Sequence, residues 1–110
     1  MNSEFIILTA DSFNKSVKKL GKKYPSITKD LQALKLQLLK NPTDGIPLGK
    51  NCFKIRMAIS SKQTGKSGGA RVITYVKIEN KHITLLDVYD KAEKETITEK
   101  DLAALIKKAG

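Results

Sequence analysis

Cys52-Phe53-Lys54-Ile55-Arg56-Met57-Ala58-Ile59 is the stretch on which the reading of the fold turns. Apolar Phe53, Ile55, Met57 and Ile59 alternate with Lys54, Arg56 and Ala58. That period of two belongs to a β-strand with one buried face, and it sets both cations on the other. Two more strand candidates follow, Ala70 to Ile78 and Ile83 to Tyr89, rich in β-branched residues and joined by Glu79-Asn80-Lys81. Three consecutive strands with so short a turn predict an antiparallel meander.

Outward from these strands the pattern becomes helical. Phe13, Val17 and Leu20 recur at i, i+4, i+7 after a candidate N-cap in Ala10-Asp11-Ser12. Ile27, Leu31, Leu34 and Leu38 form a second stripe, with Ser26 or Thr28 as cap, and Asn41-Pro42 ends it because proline disfavours helical geometry in the residue before it. Thr43 to Gly49 is turn chemistry throughout. Phe5-Ile6-Ile7-Leu8 reads as a short first strand, and Thr98 caps a last helix carrying Leu102, Leu105 and Ile106. The predicted order is β-α-α-β-β-β-α, an α+β domain with an antiparallel sheet and helices packed on one face. A chain of 110 residues fits a single domain over 1–110.

No apolar run approaches the ~20 residues of a membrane span, and Met1 to Ala10 lacks the basic start of a signal peptide. The one cysteine, Cys52, cannot form an internal disulfide and suits a reducing cytoplasm. Charge says more. Lys and Arg number 21 against 11 acids, a formal net charge of +10. Between Gly45 and Ile78 no acid occurs, while Lys50, Lys54, Arg56, Lys62, Lys66, Arg71 and Lys77 do. So unopposed a stretch points to a polyanion such as a phosphate backbone.

Gly65-Lys66-Ser67 resembles the end of a nucleotide-binding loop, but such a loop needs a glycine where this chain has Ser60, and a helix where Ala70-Arg71-Val72 continues as a strand. An ATPase is excluded on both counts. The stretch Ser60 to Gly69 instead reads as a long connection presenting Lys62 and Lys66 to an anionic partner.

In the predicted meander the end of the first strand, the start of the second and the end of the third share one edge. Arg56, Arg71, Tyr89, Lys91 and Lys94 then gather there beside the glycine stretch. Such a set suits RNA cleavage in which the 2′-hydroxyl is the nucleophile: guanidiniums take the charge gathering on the phosphoryl oxygens, a lysine supplies a proton or positive charge, and Tyr89 stacks or donates a hydrogen bond. The same charges also fit a merely solvated sheet face. His82 alone cannot make a paired-imidazole acid and base, no Cys/His cluster suggests zinc, and neither metal nor other cofactor is expected.

Cys52-Phe53-Lys54-Ile55-Arg56, the run Gly65 to Ile73 and Leu86-Asp87-Val88-Tyr89-Asp90-Lys91-Ala92-Glu93-Lys94-Glu95 together resemble the RelE/ParE toxin superfamily, in particular its HigB-like branch of RelE-type toxins. The resemblance runs over nearly the whole chain. It implies an endoribonuclease toxin of a type II toxin–antitoxin system, an mRNA interferase working without metal on messenger in the ribosomal A site, in contact with ribosomal RNA. It also implies a cognate antitoxin, expected to be a helix-turn-helix protein. Carried over by position, Lys54 and Arg56 match the family's basic pair, Arg71 the arginine opening the next strand, and Lys91 or Lys94 the basic residue after the last. Arg56, Arg71, Lys91 and Lys94 are the catalytic candidates, and Lys54, with Lys62, Lys66 and Tyr89 from the charge and strand reading above, the RNA-binding ones. Where RelE proper has a tyrosine near its last helix, this chain reads Thr96-Ile97-Thr98, so the general base stays unassigned. Two other readings remain open: a ParE-like inhibitor of DNA gyrase that cleaves nothing, and a non-catalytic RNA-binding module.

Overall fold

The computed structural model describes residues 4–109; residues 1–3 and 110 of the expected domain, and Met1 to Ser3 of the stretch read for a signal peptide, lie outside them. Its elements run β1 (Ile6–Thr9), α1 (Asp11–Lys23), α2 (Ile27–Lys40), β2 (Ile46–Gly49), β3 (Cys52–Met57), a one-turn α3 (Gly65–Gly68), β4 (Ala70–Lys77), β5 (His82–Asp90) and α4 (Glu99–Ala109). The strands form one sheet in the order β1-β5-β4-β3-β2. The expected meander is its centre, β3 antiparallel to β4 and β4 to β5, while β1 adds parallel to β5. The chain is α+β, as its pattern predicts. Among the described residues no helix is long and apolar enough to cross a membrane.

Three details depart from expectation. Thr43 to Gly49 is only partly turn: Ile46–Gly49 pairs with β3 as an edge strand. Pro47 is tolerated there because one side of an edge strand needs no ladder donor. Ser12 does not cap α1. Its hydroxyl donates instead to the carbonyl of Leu86 at 2.6 Å and ties the helix to β5. The helices, moreover, do not share one face. Phe13, Leu20, Ile27, Leu31, Leu34 and Leu38 of α1 and α2 pack with Ile55, Met57, Val72, Ile83, Leu85 and Val88. Leu102 of α4 belongs to a second cluster with Cys52, Ile73, Leu86 and Tyr89, the alternate strand positions. The sheet is thus covered on both sides, because β4 and β5 carry apolar residues at successive positions and cannot leave either face wet. Thr98 caps α4 as predicted, accepting from the amide of Asp101 at 3.1 Å.

A bulge decides what reaches the α4 side. Along β4 and β5 the pairing steps from Ile73↔Asp87 to Thr74↔Leu85, leaving Leu86 over. Without that extra residue Tyr89 would share a face with Ile83 and Leu85, to which it stands at even spacing. With it, Tyr89 joins the α4 cluster and Asp90 turns to the α1–α2 side, where Tyr24 donates to it.

The long connection from β3 to β4 is held at several points. Ile59 is fully buried. Asp30 of α2, itself buried, accepts from the hydroxyl and the amide of Ser60 and from Ser26. Gly69 admits no side chain, since a Cβ there would stand 2.2 Å from the carbonyl oxygen of Met57. The strands therefore close tightly under α3, and the Gly69 carbonyl accepts from the amide of Lys91 at 3.0 Å.

Candidate functional site

Strand register brings most of the candidate residues together. Arg56 of β3 stands directly opposite Arg71 of β4, and Arg71 opposite Tyr89 of β5, so the three form one row across the sheet. Lys54, two residues from Arg56, shares its face by the period of two. Like charges directly opposite each other destabilise a sheet unless an anion lies between or beside them. Here one does: Glu95, in the segment joining β5 to α4.

Arg71 is the centre of the arrangement. Its side chain is only 3% exposed, and all five of its N–H donors are used. Nη1 donates to the carbonyls of Lys66 and Ala70, both at 3.1 Å, and Nη2 to the carbonyl of Ser67 at 3.1 Å. Nε and the remaining Nη2 hydrogen grip the Glu95 carboxylate side-on at 3.0 and 3.1 Å. Arg71 therefore binds the carbonyl end of α3, which is where a cation belongs on a helical turn. That is the role Gly65-Lys66-Ser67 plays: the turn offers carbonyls to an arginine, not amides to a triphosphate. Lys54 completes the anion's surroundings, with Nζ 3.7 Å from Glu95 Oε2 and donating to the Glu95 carbonyl at 3.3 Å. The Arg71 bond and then its charge, with help from Lys54, hold the Glu95 carboxyl below its usual range.

Tyr89 lies beneath this group and is itself buried. Its hydroxyl approaches the Glu95 carbonyl at 3.4 Å, and the ammonium of Lys94 covers its ring at 4.7 Å from the centroid. In this arrangement the ring is not free to stack on a base. Burial, reinforced by the negative charge of Glu95, pushes its phenol up to about 12, so at neutral pH it is a donor. Lys91 and Lys94 are exposed on the same segment, and Lys66 is exposed on α3. Arg56 is exposed too.

Lys62 is placed differently. Its ammonium is 2.7 Å from Asp90 Oδ1 on the α1–α2 side, away from the row. Asp90 also accepts from the Tyr24 hydroxyl at 2.6 Å and from the amide of Ala92 at 3.0 Å. Burial opposes its ionisation, yet the Lys62 and Tyr24 bonds prevail and bring its carboxyl to about 2. Lys62 thus fastens the connection to β5 instead of presenting a free charge. His82 stands at the far end of β5 from Tyr89. Burial raises the Cys52 thiol to about 11, which suits packing and not attack.

The roles of Glu95 and Asp90 as partners of Arg71 and Lys62 do not follow from a pattern of positive charge. A signal existed: the two acids bracket Lys91 and Lys94, the cations that follow Tyr89 along the chain.

No protein-family model matches the chain, and no curated protein matches it in sequence. Among solved structures it is similar to a free-state mutant of the Escherichia coli toxin RelE in which two arginines are replaced by alanine. The TM-score is 0.60 at 16% identity, over 96% of this chain and 93% of that one. At that identity the likeness concerns architecture, and on it the chain has the RelE-like fold.

Proposed function

We propose that the chain is the toxin of a type II toxin–antitoxin system, a HigB-like member of the RelE-type mRNA interferases, acting in the cytoplasm. In this reading it cuts messenger in the ribosomal A site through attack by the RNA's own 2′-hydroxyl and without a metal. One observation carries the reading: two cations from neighbouring strands, Lys54 and Arg71, converge on a single anion position, with Arg56 exposed beside them. An anion held side-on by a guanidinium and flanked by an ammonium is the arrangement a phosphodiester needs.

In the reaction the 2′-oxygen bonds to phosphorus and the P–O5′ bond breaks, leaving a 2′,3′-cyclic phosphate and a 5′-hydroxyl. The proton leaves the 2′-hydroxyl for a base and another is delivered to O5′. The Nε/Nη2 edge of Arg71 takes two non-bridging oxygens as charge builds on them. Arg56, free of any protein partner among the described residues, adds a second guanidinium from the adjoining strand. Lys54 sits at the flank. Lys91 and Lys94 at the rim supply charge or a proton to the departing oxygen. Tyr89, its phenol kept protonated, donates a hydrogen bond, and Lys66 meets the backbone of the message. Lys62 supports the site from the opposite side of the sheet. A helix-turn-helix antitoxin that covers the basic face would complete the pair.

Expression of the chain alone tests this reading. Growth should stop and messages should be cut within translated regions, whereas Arg56→Ala should lose roughly 10²–10³ in rate while folding normally. Unimpaired killing by that variant, or growth arrest with intact messages and a DNA-damage response, would sink it.

A further inference from the structure

Three of the five donors of Arg71 bind the backbone carbonyls of Lys66, Ser67 and Ala70. Those bonds aim the guanidinium and leave one edge, Nε with Nη2, facing outward. Glu95 fills that edge. The two partners differ in their exposure: the Arg71 side chain is 3% exposed and that of Glu95 is 51%. The cation is built into the sheet, while the anion approaches from solvent on a segment, 91–98, in which turns and irregular backbone join β5 to α4. Carboxylate and phosphodiester present two oxygens to a guanidinium fork in the same way. Lys54 binds this carboxylate and its backbone carbonyl together, so one substituent of the sheet holds both the acid and the segment that carries it.

We propose that Glu95 is an internal competitor for the substrate: its carboxylate occupies the phosphate position on Arg71 and Lys54, and segment 91–98 must swing away before an RNA phosphate can bind. The resting chain is thereby held in a closed state that only a ligand with more than one anionic contact displaces efficiently. Displacement also releases the segment carrying Lys91 and Lys94, and with it the cation that covers the Tyr89 ring. Opening would therefore free the ring and the rim lysines in the same movement. The proposal rests on the phosphodiester reading of the site given above.

The test is binding of a short, non-cleavable 2′-O-methyl oligoribonucleotide, by fluorescence anisotropy at fixed moderate salt, to the full chain and three variants. Glu95→Gln should tighten binding roughly three- to fivefold, the upper part of the range that a half-exposed ion pair supports. Glu95→Asp keeps the charge but is one methylene too short to span the fork, and it should tighten binding as well. Glu93→Gln removes an equal charge two residues away and should change binding by less than about twofold. Thermal unfolding of each variant checks that it is folded, and Glu95→Asp carries the test should Glu95→Gln not be.

Equal effects of Glu95→Gln and Glu93→Gln would reduce the finding to net charge and overturn the proposal. So would unchanged affinity of both Glu95 variants, or no binding by any of the four proteins. Loss of cleavage by Glu95→Gln at unchanged affinity would also overturn it, by making Glu95 the base. Cleavage of messenger on programmed ribosomes is measured alongside. Tighter binding with no cleavage by any variant would keep the competitor and discard the nuclease; normal cleavage with unmoved affinity would do the reverse.

Discussion

Two ion pairs flank the same end of the sheet and are built in opposite ways. In Lys62–Asp90 the anion is the enclosed partner, with side-chain exposures of 19% and 2%. In Arg71–Glu95 the cation is enclosed and the anion open, at 3% and 51%. Asp90 is bonded by Lys62, Tyr24 and Ala92 and is buried. The Glu95 carboxylate is held by Arg71 and Lys54 and is half exposed, which is why the proposal above has it, and not Asp90, give way to another anion. On the proposal made above, the buried acid with its cation serves the fold, and the buried arginine with its exposed acid is the anion site. The two pairs thus differ in which partner is buried, and that difference is what the proposed site rests on.

The largest effect should come from the pair that cannot be exchanged. Asp90→Asn leaves the Lys62 ammonium and the Tyr24 hydroxyl poorly matched, and urea unfolding should show a loss of about 3 kcal/mol. A loss below about 1 kcal/mol would place the two pairs in the same class. Next is Arg71→Lys. A lysine has three donors and no planar fork, where Arg71 uses five to serve three carbonyls and the Glu95 carboxylate together. Stability should therefore fall by about 1–3 kcal/mol and RNA cleavage by roughly 10²-fold or more. Full activity with reduced stability would make Arg71 a part of the scaffold alone.

Acid titration tests the Asp90 pair in a second way. The Asp90 carboxyl titrates at about 2 in the folded chain against roughly 3.9 unfolded. Its contribution is therefore complete above about pH 4 and is lost as pH falls through about 2, about 2 kcal/mol in all. Circular dichroism melts between those limits should show the loss in the parent chain and a much shallower slope in Asp90→Asn. A parent slope no steeper than the variant's would contradict the assignment. The smallest structural effect belongs to Arg56→Ala. With no protein partner among the described residues and a like charge opposite, its removal should leave stability within about 0.5 kcal/mol. The salt dependence of RNA binding should nevertheless fall, by about 0.7 in slope for each phosphate that Arg56 neutralises. An unchanged slope would take Arg56 out of the interface.

The contrast between the pairs also explains how far the sequence could be read. The strand carrying Lys54 and Arg56 is legible because its period of two is local, and the row of Arg56, Arg71 and Tyr89 follows from meander geometry. The exchange of faces at Leu86 is not local. An unpaired residue in β5 depends on how two strands match, and no period within one strand shows it. The edge strand Ile46–Gly49 hides behind its proline and glycines, which read as turn until a partner strand is supplied. The division of cations between Lys62 and Lys66 was equally out of reach. They lie four residues apart in one basic run, and only the fold brings Asp90 to the first and leaves the second open. Glu95 is not legible because an acid reads as a gap in a pattern of positive charge, whereas the fold sets it against both Lys54 and Arg71.

The central claim, that the row across β3, β4 and β5 holds a phosphodiester while the message attacks itself, is met most directly by the chemistry of the cut ends. Purified chain and mRNA-programmed ribosomes, followed by end-group analysis of the upstream fragment, should yield a 2′,3′-cyclic phosphate. Arg56→Ala should suppress that product at unchanged folding. Intact message, a free 3′-hydroxyl on the upstream fragment, or undiminished product from Arg56→Ala would contradict the account.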